Sequence, residues 1–151
     1  YTTSILAKTE AVSANFDEAI LLNFDGTVSE GSGENLFMIK NNEIITPTET
    51  DNCLLGITRD SIIEIAQKEL GLKVNERKIH RSELYLADEV FLTGTAAHVT
   101  SVGTLDSRKI GNGNIGSITK NLQELYFSIV IGNDSIKKKS DYTKWLTSFN
   151  V

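Results

Sequence analysis

Apolar and polar positions along the chain follow two periods, and the helical one predicts three principal helices. The clearest covers residues 58–70, where Thr58 is the expected N-cap and Gly71 the expected C-cap. Its apolar side chains recur every three to four positions, at Ile62, Ile63, Ile65, Ala66 and Leu70. The same spacing predicts helices over 4–14 and 117–131, with shorter ones over 82–87 and near Trp145.

Short runs of branched and aromatic residues, separated by turn residues, predict strands. Asp25-Gly26 and Asn41-Asn42 are the expected turns of two hairpins, and Pro47 should end the second. The predicted strands cover 19–24, a return strand from Thr27, then 35–40, 43–46, 72–79, 89–93 and 98–105. We expect 19–24 to be largely buried. Hairpins mixed with helices, without regular strand–helix alternation, indicate an α+β fold.

Composition narrows the class of protein. A length of 151 residues suits one domain, and the net charge of −5 argues against a general binder of nucleic-acid backbones. No apolar run approaches the roughly 18 residues that span a bilayer, so we expect no membrane association. The single cysteine, Cys53, favours a reducing compartment and a cytoplasmic protein. Because the chain opens at Tyr1 directly into a helical pattern, we interpret it as part of a longer protein.

Three segments could bind a ligand. Residues 29–35 place glycines and carboxylates just after a strand, where the backbone can approach a ligand closely. Residues 54–59 enter the clearest helix, whose N-terminal amides suit an anion. Residues 93–97 end an apolar strand in small side chains that leave the backbone accessible. Taken singly, each is more often an ordinary loop, an ordinary helix cap or an ordinary turn.

A fourth segment has a sequence pattern similar to that of dinucleotide-binding sites. Residues 111–116 have the pattern G-x-G-x-x-G before a helix, and Asp134 follows at about the distance of a ribose-binding acid. That fingerprint requires an apolar strand immediately before it, whereas residues 106–110 are mostly charged or polar. We therefore expect a glycine-rich surface loop.

Taken in order, the motifs resemble those of class IV (fold type IV) pyridoxal-phosphate aminotransferases. They occupy residue 1 and residues 4–8, 28–37, 56–60, 84–91, 94–97 and 118–120. The form Gly94-Thr95-Ala96-Ala97 is most similar to branched-chain enzymes. The resemblance implies that residues 1–151 are the larger, C-terminal cofactor-binding domain. Its expected architecture is a mixed, largely antiparallel sheet or pseudo-barrel with flanking helices.

The resemblance also implies roles for individual residues toward pyridoxal 5′-phosphate. Glu30 should face the pyridine nitrogen, Tyr1 should hydrogen-bond the 3′ oxygen, and Leu54 should pack on the ring. The residues implied for the phosphate are Ile57, Thr58 and Thr95, and those implied for the substrate are Gly33, Thr95 and Ala96. No metal is implied.

Some residues are expected to take no part in the chemistry. We expect Glu34 and Asn35 to be structural, and His98 to be a partly exposed strand residue. The family's Schiff-base lysine should lie upstream of Tyr1, so we expect this chain alone to form no yellow Schiff base with the cofactor.

The implied activity of the intact protein is transamination between branched-chain amino acids and 2-oxoglutarate. Its partners would be amino acid and 2-oxo acid substrates, in a homodimer or a larger homo-oligomer. A D-amino acid transaminase or a 4-amino-4-deoxychorismate lyase of the same fold is the alternative. A hypothesis of another class is that the chain is a non-catalytic ligand-binding fragment.

Overall fold

The computed structural model describes residues 2–132, Tyr142, Trp145 and Leu146. A 3-10 turn at Glu49–Asp51 precedes the second helix. The elements in chain order are α1 (Thr2–Ser13), β1 (Ile20–Leu22), β2 (Val28–Gly31), β3 (Asn35–Lys40), β4 (Glu43–Thr46), α2 (Ile57–Glu69), β5 (Val74–Glu76), α3 (Arg81–Leu84), β6 (Glu89–Gly94), β7 (His98–Ser101), β8 (Thr104–Leu105), β9 (Arg108–Lys109) and α4 (Ser117–Val130).

A five-stranded sheet with the order β5-β4-β3-β6-β7 forms the centre of the described part of the chain. Its neighbouring strands are antiparallel except for the parallel pair β4 and β5. The hairpin β1–β2 and the short pair β8–β9 lie outside this sheet. The predicted α+β fold with a mixed, largely antiparallel sheet is therefore confirmed.

Strand periodicity divides the core into two layers, because successive side chains of β3 and β6 point to opposite faces of the sheet. On one face Phe37 and Phe91 stack with ring centroids 4.8 Å apart, and residues of α2 and α4 cover them. On the other face Leu36 and Leu92 pack against residues that include Val28 of β2. The sheet is thus covered on both faces.

Both predicted hairpin turns are confirmed, but several boundaries differ from the prediction. The predicted strand 19–24 shrinks to Ile20–Leu22, none of whose residues is buried, and Phe24 in the turn is fully exposed. The predicted strand 72–79 shortens to Val74–Glu76, which pairs with β4. The predicted strand 98–105 is two strands, β7 and β8, because it changes partner from β6 to β9.

The predicted cap of α2 is wrong. Gly56 is the N-cap, with the extended angles φ −72° and ψ 144°, and Thr58 lies inside the first turn. The predicted C-cap of α2, Gly71, lies one residue from the observed one. Leu70 is the C-cap, and Gly71 follows it with φ +63°. The predicted helix near Trp145 and the residue Asp134 fall largely or wholly outside the described residues.

Two further findings concern the apolar character of the helices and the loop before α4. Among the described residues, no helix combines the length and the apolar character needed to cross a membrane. Residues 111–116 form a loop before α4, with positive φ at Gly111 and Gly113, as predicted for a surface loop.

Candidate active site

The antiparallel pair β3 and β6 brings two of the candidate loops to one edge of the central sheet. Asn35 begins β3 opposite Thr93, close to the end of β6. The β2–β3 loop and the β6–β7 turn therefore meet at that edge. A β-carbon on Gly94 would lie 3.3 Å from the carbonyl oxygen of Gly33, so only a residue without a side chain fits here without displacement.

The third candidate loop, residues 54–59, begins in the connecting segment, residues 52–56, which leads into α2. Strands β2 and β3 hold it through hydrogen bonds to its backbone. Ser29 Oγ donates to the Asn52 carbonyl oxygen at 3.0 Å, and the Leu54 N–H donates to Glu30 Oε2 at 2.8 Å. Asn35 Nδ2 donates to the Leu54 carbonyl oxygen at 2.5 Å. Both backbone polar groups of Leu54 are therefore satisfied by the strands.

Glu30 and Leu54 present a carboxylate beside an exposed apolar side chain. Glu30 Oε2 is engaged by Leu54, while Oε1 accepts no hydrogen bond from the residues that the structure describes. The Leu54 side chain is 73% exposed, although its backbone is fixed. This arrangement is compatible with the roles toward the cofactor ring that the family resemblance implies for Glu30 and Leu54.

The start of α2 offers backbone donors beside this pair. The first helical backbone bond runs from Asp60 N–H to the Gly56 carbonyl oxygen, so the amides of Ile57 and Thr58 lack helical partners. Gly56 supplies no side-chain cap that would compete for them. The Ile57 side chain is 87% exposed and Thr58 is buried. Free amides and the positive helix end favour an anion at this position.

Arg59, which follows these residues in the motif, has a structural role. Its side chain is only 2% exposed, and its guanidinium donates to the Pro47 carbonyl oxygen at 3.0 Å. Two carboxylates neutralise it, Glu76 at 2.5 Å and Asp60 at 3.2 Å. The arginine therefore ties α2 to β5 and to Pro47.

The β6–β7 turn leaves its backbone accessible. Thr95 and Ala96 are both exposed, and Thr100 Oγ1 stabilises the turn by donating to the Ala97 carbonyl oxygen at 2.7 Å. His98, at the end of the turn, has φ +53° and is exposed. Its ring centroid lies 5.2 Å from that of Phe127. His98 thus occupies an exposed position at a strand end, close to the prediction.

Three charged side chains, those of Lys8, Glu18 and Glu34, lie beside the β2–β3 loop. Lys8 Nζ donates to Glu18 Oε2 at 2.7 Å, and the Gly33 N–H donates to Glu34 Oε2 at 3.1 Å. Burial raises the pKa of the Glu34 carboxyl above its ordinary value, and the Glu18 carboxyl beside it acts in the same direction. Glu34 therefore supports the loop that carries Gly33.

Three lysines whose amines could be considered as reactive groups form ion pairs with carboxylates instead. Besides Lys8, Lys40 pairs with Asp88 at 2.8 Å, and Lys68 pairs with Glu64 at 2.6 Å. Tyr1 lies outside the described residues, so its predicted role stays a prediction.

The structure thus brings Glu30, Leu54 and the start of α2 together, and it places Gly33 against the turn of Thr95 and Ala96. Asn35 lies within a predicted motif and was expected to be structural, but its contact with the connecting segment was not predicted. Its partner Leu54 lies 19 positions away in the chain, so no local pattern indicates the contact.

Comparison with known proteins gives one family. The family model described as amino-transferase class IV matches residues 1–105. A probable branched-chain-amino-acid aminotransferase of Aquifex aeolicus is 59% identical over 147 residues, which is 97% of this chain and 46% of the relative. The branched-chain-amino-acid aminotransferase of Escherichia coli K12 is 43% identical over 150 residues, 99% of this chain and 47% of the relative. The chain therefore spans about half the length of these curated relatives.

Solved structures agree with this. A crystal structure of the T.th. branched-chain amino acid aminotransferase, complexed with N-(5′-phosphopyridoxyl)-L-glutamate, superposes with a TM-score of 0.91. It is 47% identical and covers 99% of this chain, which matches 49% of that one. The pyridoxal-phosphate form of the Thermobaculum terrenum enzyme gives a TM-score of 0.90 at 41% identity, over 97% of this chain and 46% of its own.

Proposed function

This chain belongs to the class IV aminotransferase family, and from that premise we propose that it is the cofactor-binding domain of a branched-chain amino acid aminotransferase. The whole protein would exchange an amino group between a branched-chain amino acid and 2-oxoglutarate, using pyridoxal 5′-phosphate. The observation that carries the proposal is Glu30, whose carboxylate is fixed by the Leu54 N–H and keeps one oxygen available. Relatives named for this activity match nearly the whole chain.

The residues at the site fit the cofactor. When bound, pyridoxal phosphate supplies the electron sink for the substrate carbon that loses its amino group. Glu30 would hold the proton on the ring nitrogen, because a neighbouring negative charge favours the protonated ring. Exposed Leu54 would pack on the ring face, and Tyr1 would hydrogen-bond the 3′ oxygen. The amides of Ile57 and Thr58 would bind the phosphate.

The hydroxyl groups of Thr58 and Thr95 would complete this chain's share of the phosphate site. The amides of Thr95 and Ala96 would bind the substrate α-carboxylate. Both residues are exposed, and the small side chain of Ala96 leaves its amide accessible. Gly33 would line the substrate pocket beside this turn.

Other features of the whole protein follow from family resemblance. We place the lysine that bonds to the cofactor a few positions before Tyr1. We place the active site near a subunit interface of a homodimer or a larger homo-oligomer. The cytoplasmic location stays a prediction from cysteine usage.

The test is an assay of the full-length protein, with 2-oxoglutarate as amino acceptor for L-leucine and D-alanine and with no acceptor for 4-amino-4-deoxychorismate, which a lyase would cleave without amino transfer. L-Leucine should be a substrate, whereas D-alanine and 4-amino-4-deoxychorismate should give little turnover. Activity with only the last two compounds would replace the branched-chain assignment with one of the two alternatives. Pyridoxal-phosphate binding without turnover of any of the three would support a non-catalytic module.

A further inference from the structure

Asn35 contacts the connecting segment at two points. Its Nδ2 donates to the Leu54 carbonyl oxygen at 2.5 Å, and its Oδ1 lies so close to Gly56 that a β-carbon there would overlap it. The residue is itself buried, 6% exposed, at the first position of β3. Asn35 thus links the central sheet to both Leu54 and the N-cap of α2.

Glu30 holds Leu54 from the other side of its backbone. Its carboxylate accepts from the Leu54 N–H, whereas the Asn35 amide donates to the Leu54 carbonyl oxygen. The two side chains therefore fix both peptide units that flank Leu54. Because β2 and β3 belong to the folded sheet layers, contacts within the protein hold the connecting segment.

We propose that Asn35 is a positioning residue that couples the two halves of the cofactor site, the carboxylate at the ring nitrogen and the amides at the phosphate. The inference rests on the proposed function. Loss of the Asn35 side chain would release Leu54 and the first turn of α2 together. The free amides of Ile57 and Thr58 would then lose their fixed direction, and preorganised donors bind an anion better than mobile ones.

The decisive measurement is a double-mutant cycle in the full-length protein. Wild type, Asn35→Ala, Glu30→Ala, which removes the acceptor of the Leu54 N–H, and the double variant would be titrated with pyridoxal 5′-phosphate and, separately, with inorganic phosphate. We expect Asn35→Ala to weaken pyridoxal-phosphate binding tenfold or more, and to weaken inorganic phosphate too, although Asn35 is not among the residues proposed to contact the phosphate. The double variant should lose less than the product of the two single effects, because both residues act through Leu54.

A purely structural role predicts a different result. In that case Asn35→Ala would lower the unfolding midpoint of the cofactor-free protein and leave both dissociation constants unchanged, which would overturn the proposal. Asn121→Ala, an exposed asparagine of α4, is the matched control and should alter neither quantity.

A second variant keeps the test valid if Asn35→Ala does not fold. Gly56 has ordinary angles for alanine, so Gly56→Ala acts mainly by displacing Asn35 Oδ1. It should weaken phosphate binding in the same direction, and fully multiplicative effects of Gly56→Ala and Asn35→Ala would contradict coupling through this contact. Wild-type protein that binds no pyridoxal phosphate would overturn the proposed function as well. Equal binding by wild type and both variants would overturn only the role of Asn35.

Discussion

At the scale of single residues, Glu30 fixes Leu54 through one carboxylate oxygen, and under the proposed function the other oxygen would serve the ring nitrogen. Glutamine at this position can still accept from the Leu54 N–H, but it cannot hold a proton on the ring. We therefore expect Glu30→Gln in the full-length protein to reduce kcat at least about tenfold, which corresponds to roughly 1.4 kcal/mol in the barrier. The cofactor dissociation constant should change less than kcat. An unchanged kcat would mean that Glu30 does not serve the ring nitrogen.

Glu34 should make stability depend on pH. Burial raises the pKa of its carboxyl, so the folded protein binds this proton more tightly than the unfolded chain does. The resulting stabilisation is complete below the unfolded pKa of about 4.3 and is lost as the pH rises through the higher folded value. Glutamine is neutral at every pH and can still accept from the Gly33 N–H.

We therefore expect Glu34→Gln to be more stable than wild type near neutral pH, with the advantage disappearing below about pH 4. Urea unfolding between pH 4 and pH 8 would measure this, with the exposed Glu10→Gln as a control. An advantage that grew as the pH fell would contradict the assignment.

At the scale of elements, the start of helix α4 depends on a residue of strand β6. The Glu89 carboxylate of β6 accepts from the Ile118 N–H at 3.2 Å, and from the Thr119 N–H and hydroxyl at 2.8 and 2.6 Å. Gly116 allows this approach, since a β-carbon there would overlap the carboxylate. Gly116 has φ −79°, so alanine would be unfavourable only because it displaces Glu89.

We expect Gly116→Ala to lower the free energy of unfolding by about 1–3 kcal/mol, since it removes a helix cap and disturbs a partly buried charge. Urea denaturation of the full-length protein would test this. Gly33→Ala is the matched control, because nothing lies within 4 Å of a β-carbon there and it should be nearly neutral for stability.

Local patterns were sufficient to predict most elements. Turn residues at Asp25-Gly26 and Asn41-Asn42 mark both hairpins, because these residue types tolerate the required backbone angles. The apolar stripe of α2 likewise predicts a helix that packs on the sheet. The burial of β1 could not be predicted, because it depends on what covers a strand that, within the described part of the chain, pairs only with β2.

The contacts that assemble the site were beyond local patterns. Each candidate loop could be found from its motif, but the bond from Asn35 to Leu54 joins residues 19 positions apart, and that from Glu89 to Thr119 joins residues 30 apart. The N-cap of α2 was missed for a similar reason. Thr58 is a typical capping residue, yet Asn35 packs against Gly56 and the helix begins there.

At the scale of the whole molecule, Phe91 joins the sheet to the helical layer. It is fully buried, stacks on Phe37 at 4.8 Å and belongs to the same core as residues of α2 and α4. Phe91→Ala would leave a cavity that neighbouring elements cannot easily close, and we expect a loss of about 3–5 kcal/mol. Urea unfolding would measure it, with Leu86→Ala, at a residue 70% exposed, as the control. A loss below about 1 kcal/mol would mean that the core repacks around the gap.

The strand order also has a consequence for biosynthesis. Strand β3 pairs with β4, its neighbour in sequence, and with β6, which begins only at Glu89. At roughly 5–20 residues per second, a ribosome would make Glu89 about 2–10 s after Lys40, the last residue of β3. During that interval one edge of a strongly apolar strand has no partner, and an open edge can pair with other chains. The nascent chain is thus most exposed to aggregation at β3, between the exit of β3 and the exit of β6 from the ribosome.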